Sequence, residues 1–311
     1  MHFTGTIWRP PYEAESLLLE VTAGCTHHKC KFCTLYHDLP FRFRLSPLRD
    51  IEADLQEAQL YAADPIAKLS ARLQGLPEPD SVKRVFLVGA NPFVLHFRRL
   101  KEIAELIRRY LPACESIGCF ARVTDVGLKT DGELSELREL GFDGLSMGVE
   151  SGSDAALAFM NKGYLSGEIV RQTARLDRAG IAYCFMYLAG LAGAGRCREA
   201  ALESAAVFNR THPRLIGSSM LTVYPESELF QEIQAGNWRE AGELEKLEEV
   251  QTLIEHLEIP VQFATLGASN AVLVQGLLPG DRAKLAARLE KERSPEHEAA
   301  LEQYRKNLKH L

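Results

Sequence analysis

Short apolar runs rich in β-branched and aromatic residues alternate along the chain with longer stretches whose apolar positions recur at helical spacing. The strand-like runs are LLLEVT (17–22), RVFLV (84–88), ESIGCF (115–120), DGLSMGV (143–149), IAYCFMYLA (181–189) and LIGSSMLTV (215–223). Between them, Leu48, Ile51, Leu55, Ala58 and Ala62 line one helical face, and Leu100, Ile103, Ala104, Ile107 and Leu111 line another. Ser46 before Pro47 predicts an N-cap with proline at the first helical position, and Thr130 with Glu133 predicts a capping box. Gly141 and Gly180, each just past a leucine-bearing segment, predict left-handed helix stops. The order is strand then helix, repeated. Strands joined by covering helices run parallel, and the right-handed crossover rule winds them into a doubly wound sheet or a barrel.

Two stretches break the rhythm. Residues 63–83 predict a surface insertion, a short amphipathic piece ending in a Pro-rich turn. After residue 224 comes a charged helix with Leu244, Leu247, Ile254 and Leu257 on one face. VQFAT, AVLV and a highly charged helix from about residue 281 follow it. The expected organisation is a core over 1–225 and an extension over 226–311 packed on that core.

Composition narrows the class. The 311 residues are 46% hydrophobic and 25% charged, which excludes a disordered chain and allows a large core. With 36 basic against 42 acidic side chains, the net charge of -6 argues against a broad nucleic-acid or anionic-membrane footprint. No apolar run reaches the ~20 residues that cross a bilayer. The start MHFTGTIWRPPYEAES has no secretory pattern, and an odd total of 7 cysteines, three of them close together, is not a disulfide framework. A cytoplasmic protein with reduced thiols is expected.

The chemistry is concentrated in GCTHHKCKFC, where Cys25, Cys30 and Cys33 directly follow the first strand. Loops at the C-terminal ends of parallel strands are where α/β folds place their sites. The C-x4-C-x2-C spacing permits several readings. A plant-type ferredoxin needs a fourth cysteine, and the next is the distant Cys114. A zinc site could complete its tetrahedron with His27 or His28. Alternatively, three thiolates hold a four-iron cluster and leave one iron open. Cys114, Cys119, Cys184 and Cys197 lack close spacing and read as small apolar residues. The FRFR run (41–44) reads as a connector with two anchored rings, or as a contact for an anionic substrate.

In the cysteine loop the sequence resembles the radical S-adenosylmethionine (SAM) superfamily, whose usual motif is C-x3-C-x2-C with an aromatic residue before the last cysteine. Phe32 stands at that place, and this chain has one extra residue between the first two cysteines. The run SMGVESGSDAALAFMNKGY is similar to the fourth-strand signature of oxygen-independent coproporphyrinogen oxidases and Elp3-like proteins. The resemblance implies an α/β fold, a partial (βα)6 TIM-like barrel with a mainly helical C-terminal extension. It implies a [4Fe-4S] cluster on Cys25, Cys30 and Cys33, with SAM as the second cofactor.

The resemblance also assigns SAM contacts. The turn VGANPF puts Gly89, Ala90 and Asn91 where Gly-Gly-Glu is usual, so the methionine amino group would meet backbone carbonyls or an amide oxygen. Arg122 in CFARVTD faces the same cavity, Glu150 takes the ribose hydroxyls, and Lys162 meets the cofactor carboxylate. Leu188 and Gly190 in LAGLAGAG, with Val223 and Tyr224 after the sixth strand, lie beside adenine. The implied reaction is reductive cleavage of SAM to a 5'-deoxyadenosyl radical that abstracts hydrogen from a substrate. A flavodoxin- or ferredoxin-type reductant is implied. Modest length and acidity favour a small-molecule or peptide substrate over nucleic acid, with no membrane partner. Two other classes stand beside this one: a zinc-binding barrel with a structural Cys3His site, and a catalytically silent cluster-binding scaffold.

Overall fold

Strand β1 (Leu17–Glu20) leads through Val21 into β2 (Thr22–Gly24), which turns aside to pair antiparallel with β3 (Phe43–Leu45). The single strand expected over 17–22 is therefore two, dividing at Val21, whose N–H still bonds Val88 O at 3.3 Å. This computed structural model describes residues 1–75 and 82–308. The chain forms two compact units, Met1–Thr26 with Tyr36–Ser146 and Arg178–Ile181, and His27–Leu35 with Met147–Asp177 and Ala182–Leu311.

In the first unit, α1 (Leu48–Ala63) and α2 (Pro65–Leu73) cross back to β4 (Arg84–Val88), which lies parallel to β1 with Leu19 opposite Leu87. The expected Pro-rich turn at 76–81 lies outside the described residues. Helix α3 (Phe97–Tyr110) leads to β5 (Ser116–Ala121), again parallel, with Phe86 opposite Gly118. Short α4 (Val123–Val126) and α5 (Asp131–Glu139) precede β6 (Phe142–Glu150), and the unit boundary falls within that strand. Ile51, Leu55, Leu100, Ile103 and Ile107, read as inner helical faces, are buried, and so are Leu19, Phe86 and Leu87 on the strands.

The predicted helix caps and stops hold with one correction. Thr130 and Glu133 form the capping box of α5, and Gly141 and Gly180 have φ of 97° and 71°. Ser46 does not cap α1. Pro47 occupies the cap position, and the Ser46 hydroxyl donates instead to the buried Glu20 carboxylate at 3.4 Å. At the strand starts, Arg84 joins Glu13 and Asp143 at 2.7 Å each. Gly118 and Gly144 make room for it, since a Cβ at either would sit 2.4 or 2.8 Å from the guanidinium.

The second unit continues with α6 (Asp154–Phe159), α7 (Ser166–Ala179) and β7 (Ala182–Ala189), whose Tyr183, Phe185 and Tyr187 are buried while alternate residues are half-buried. Helix α8 (Cys197–Phe208) covers the buried face, its Phe208 ring 5.1 Å from Phe185 and 6.0 Å from Tyr187. Strand β8 (Leu215–Met220) runs parallel to β7, and α9 (Glu228–Gln234) and α10 (Glu243–His256) follow. The extension is helical but not merely applied: β9 (Val261–Thr265) pairs parallel with β8, and β10 (Gln275–Leu278) pairs antiparallel with β9. The apolar run AVLV (271–274) precedes β10 and is not itself in the strand. The Thr265 N–H still donates to Val274 O at 2.9 Å, but Thr265 Oγ1 takes the Val274 N–H at 2.9 Å, so a side chain supplies half of that pair and the strand begins at Gln275. Helices α11 (Arg282–Glu292) and α12 (Glu298–Lys306) close the chain.

Candidate active site

The base of the cysteine loop is set by backbone proximity. Gly24 has φ of 78°, and a Cβ there would stand 2.2 Å from Arg42 O, so only glycine lets β2 and β3 meet just before Cys25. The Cys25 N–H then donates to Arg42 O at 3.0 Å. In the same unit, Gly89 at the end of β4 has φ of 127° and a Cβ position 2.1 Å from Thr22 Oγ1, so the turn closes onto β2. Asn91, wholly buried, does not present its amide to open space. Nδ2 donates to Thr26 Oγ1 at 2.9 Å and to Asp125 at 3.1 and 3.3 Å. Arg122, half-buried, follows β5 at the N-cap of α4, its guanidinium donating to Thr124 Oγ1 at 3.1 Å and its N–H to Asp125 at 2.8 Å.

Asp125 and Lys129 are functional candidates that the sequence reading passed over. Both are buried, and burial raises the Asp125 pKa and pushes Lys129 down to about 8. Lys129 donates to Phe93 O, Leu95 O and Asp125 O, pinning the loop that begins at Gly89. The signal was an aspartate three residues after Arg122 at a helix start, where it can take the Arg122 N–H.

In the second unit, the Cys30–Cys33 segment is a tight turn, with the Cys33 N–H donating to Cys30 O at 3.1 Å. Lys31 anchors it through its N–H to Met160 O, its O to the Leu229 N–H, and its ammonium to Glu232 and over the Phe159 ring at 4.4 Å. The fourth-strand signature resolves residue by residue. Gly152 lets α8 approach, since a Cβ would lie 2.5 Å from Ser204 Cα, and Ser153 caps α6. Glu150 is left free of capping. It adopts φ of 62°, unusual for a side chain of this size, and meets Lys162 at 3.2 Å. Lys162 is 4% exposed, also donates to Gly148 O at 3.0 Å, and lies 5.8 Å from the Phe32 ring centre.

Phe32, Leu188 and Val223, distant in sequence, all pack on the cluster of Met160, Leu191, Leu221, Leu229 and Trp238. Gly190, at φ of 90°, leaves 3.1 Å between a would-be Cβ and the Lys246 chain. Its N–H donates to the buried Glu249 of α10 at 2.7 Å. Tyr224 points its hydroxyl into a buried place where no hydrogen-bond partner lies among the described residues, and burial raises its pKa. It borders a cavity of about 500 Å³ between the end of β8 and helices α10 and α12, with Glu243 and Arg305 in the wall.

The donor set suits an iron–sulfur cluster: Cys25, Cys30 and Cys33 are thiols, all half-exposed. Burial raises the pKa of Cys114, Cys119 and Cys197 and disfavours the thiolate a metal needs. Among the described residues, no group of three His, Cys, Asp or Glu side chains is gathered for a metal ion, so the cysteines are singled out by donor chemistry and loop placement. The Glu150–Lys162 pair suits SAM, offering an acceptor for hydroxyls beside a cation for a carboxylate.

The family model described as the radical SAM superfamily matches residues 19–203. The chain belongs to that superfamily. As a member it is an enzyme whose cofactors are a [4Fe-4S] cluster and SAM. Among curated proteins none matches the chain. Its fold is similar to that of coproporphyrinogen III oxidase (HemN) from Escherichia coli, at TM-score 0.54 and 16% identity over 78% of this chain and 52% of that one. It is similar to the radical SAM methyltransferase TsrM from Kitasatospora setae, at TM-score 0.53 and 16% identity over 71% and 39%. It is also similar to Elp3 from Methanocaldococcus infernus, at TM-score 0.51 and 14% identity over 89% and 63%. The α/β partial-barrel expectation is thus met. The chain spans between 39% and 63% of the length of these structures. No helix among the described residues is long and apolar enough to cross a membrane.

Proposed function

We propose that Cys25, Cys30 and Cys33 hold the cluster, and that Glu150 and Lys162 bind the ribose hydroxyls and carboxylate of SAM. Phe32, Leu188, Gly190 and Val223 form the apolar wall beside its adenine. The observation that carries this reading is the Glu150–Lys162 pair at 3.2 Å beside Phe32, built on a left-handed glutamate. With both cofactors bound, one-electron reductive cleavage of SAM supplies the radical that takes hydrogen from substrate. The protein's own residues orient the cofactor and keep water away. A flavodoxin- or ferredoxin-type protein serves as reductant.

The substrate is a small molecule or a peptide. The cavity of about 500 Å³ beside Tyr224 lies within the usual size range of small-ligand sites. Anaerobic reconstitution tests the whole reading: four irons per chain, and 5'-deoxyadenosine on adding reductant and SAM. Cys30→Ala should hold no intact cluster, whereas Cys119→Ala should load as the parent does. One tightly held zinc and no cleavage would sink the proposal. A low-molecular-weight extract, rather than an RNA fraction, should accelerate deoxyadenosine formation; the reverse would refute the substrate class.

A further inference from the structure

We infer that Asn91 and Asp125 form a positioning pair that ties the turn Gly89–Asn91 to the loop of the first cluster cysteine, rather than contacting SAM through the Asn91 amide. The inference rests on the cofactor reading above. Thr26 directly follows Cys25. Its hydroxyl accepts from Asn91 Nδ2 at 2.9 Å, and its N–H lies 3.4 Å from Asn91 Oδ1. The N–H of Cys25 itself is held by Arg42 O. Backbone on both sides of the Cys25 residue is thereby fixed, from β3 and from the turn.

An asparagine side chain has two N–H donors and one oxygen acceptor. Here the donors go to Thr26 and Asp125, and the oxygen faces the Thr26 N–H. Both donors are spent and the oxygen keeps one lone pair on a side chain that is wholly buried, so a methionine amino group arriving from open space is met by backbone carbonyls of the turn. Asp125 is fixed in its own right, because its Oδ2 also accepts the Arg122 N–H at 2.8 Å. Lys129 holds the following stretch of the same loop by Phe93 O and Leu95 O.

The pair also accounts for the departure from Gly-Gly-Glu. A glutamate at 91 would bring a second carboxylate against Asp125 in a buried place, where like charges disfavour each other. Asparagine donates to Asp125 where glutamate would repel it. The residue types at 91 and 125 belong together.

The experiment compares the parent with Asn91→Ala, Asp125→Ala, Thr26→Val and the Asn91→Ala/Asp125→Ala double variant, all anaerobically reconstituted. Iron content, KM for SAM, and the SAM-dependent change in the reduced-cluster EPR spectrum are read for each. Each single variant should keep four irons, raise KM about tenfold or more, and weaken the EPR change. The double variant should be no worse than the worse single one, because Asp125 acts through Asn91. Asn91→Glu should be more damaging than Asn91→Ala, and Asp125→Ala should relieve that excess. If Asp125→Ala does not fold, Thr26→Val on a half-exposed residue reads the same tie. Additive effects, or an Asn91→Ala variant with parental KM and EPR change, overturn the inference alone. A parent that loads no cluster overturns the cofactor reading, and this inference with it.

Discussion

Glu150 shows what a single residue can disclose. A left-handed backbone costs an L-residue with a long side chain about 1–2 kcal/mol, and such strain persists where the surroundings demand the side-chain direction it gives. What is obtained here is a carboxylate facing Lys162 at 3.2 Å, with Gly148 leaving it space, since a Cβ there would lie 2.7 Å from Glu150 Oε1. Glu150→Gln keeps the shape and removes the charge from beside a buried ammonium. Urea unfolding should show a loss of about 1.5–3 kcal/mol, the worth of a hydrogen bond to a charged group. Equilibrium dialysis should show weaker SAM binding, and an unchanged SAM affinity would remove Glu150 from the ribose site. This pair was legible in the sequence because both members lie within one strand–loop–helix signature. Asn91 and Asp125 were not. They are 34 residues apart, and no local pattern announces that an amide will turn from solvent toward an aspartate on the next βα unit.

At the scale of elements, the strands and the inner faces of α1 and α3 could be read directly, because burial imposes the periods of 2 and 3.6 on apolar positions. Caps were legible where both partners sat within four residues, as at Thr130 and Glu133. Ser46 misled because a long-range partner, Glu20, outbid the local helix terminus. The role of α12 was hidden for a similar reason. Its charged sequence reads as a solvated face, yet Arg305 is 7% exposed, pairs with Glu243 at 2.8 Å and donates to Thr222 Oγ1 and Ser269 O. The helix therefore locks α10 to the end of β8. Removing Arg305 leaves Glu243 with Lys246 as its remaining cation and takes the donor from Thr222 and Ser269, so Arg305→Ala should cost about 1.5–3 kcal/mol, measured as a lower urea midpoint. A loss below about 1 kcal/mol, typical of exposed pairs, would show that α12 is dispensable.

For the whole molecule, the extension is the part whose contribution the sequence least revealed. Its β9 extends the parallel ladder from β8, and α10 sends Glu249 to the end of β7, contacts that no periodicity in 226–311 announced. That carboxyl, 1% exposed, accepts from Tyr187 Oη at 2.6 Å and from the Gly190 N–H at 2.7 Å. Burial pushes its pKa up to about 7 from 4.5, against the opposing pull of Tyr187, Cys197 and Gly190. The folded chain therefore holds a proton that the unfolded chain releases above about pH 4.5. As pH rises from about 4.5 to about 7 the unfolded state is favoured, and Glu249 withdraws on the order of 3 kcal/mol across that window. Glu243 works in the other direction and at lower pH: hydrogen bonds and charge from Arg305 and Lys246 outweigh burial and hold its pKa below 4.5, so its contribution is lost only on acidification. The two can be separated by pH. Stability from urea unfolding should fall between about pH 5 and 7 in the parent, and Glu249→Gln should flatten that fall while leaving the acid limb in place. A variant that retains the parental slope would mean the carboxyl is ionised in the folded chain throughout. The turn at Gly190 would then be held by a full charge and not by a proton-sharing one.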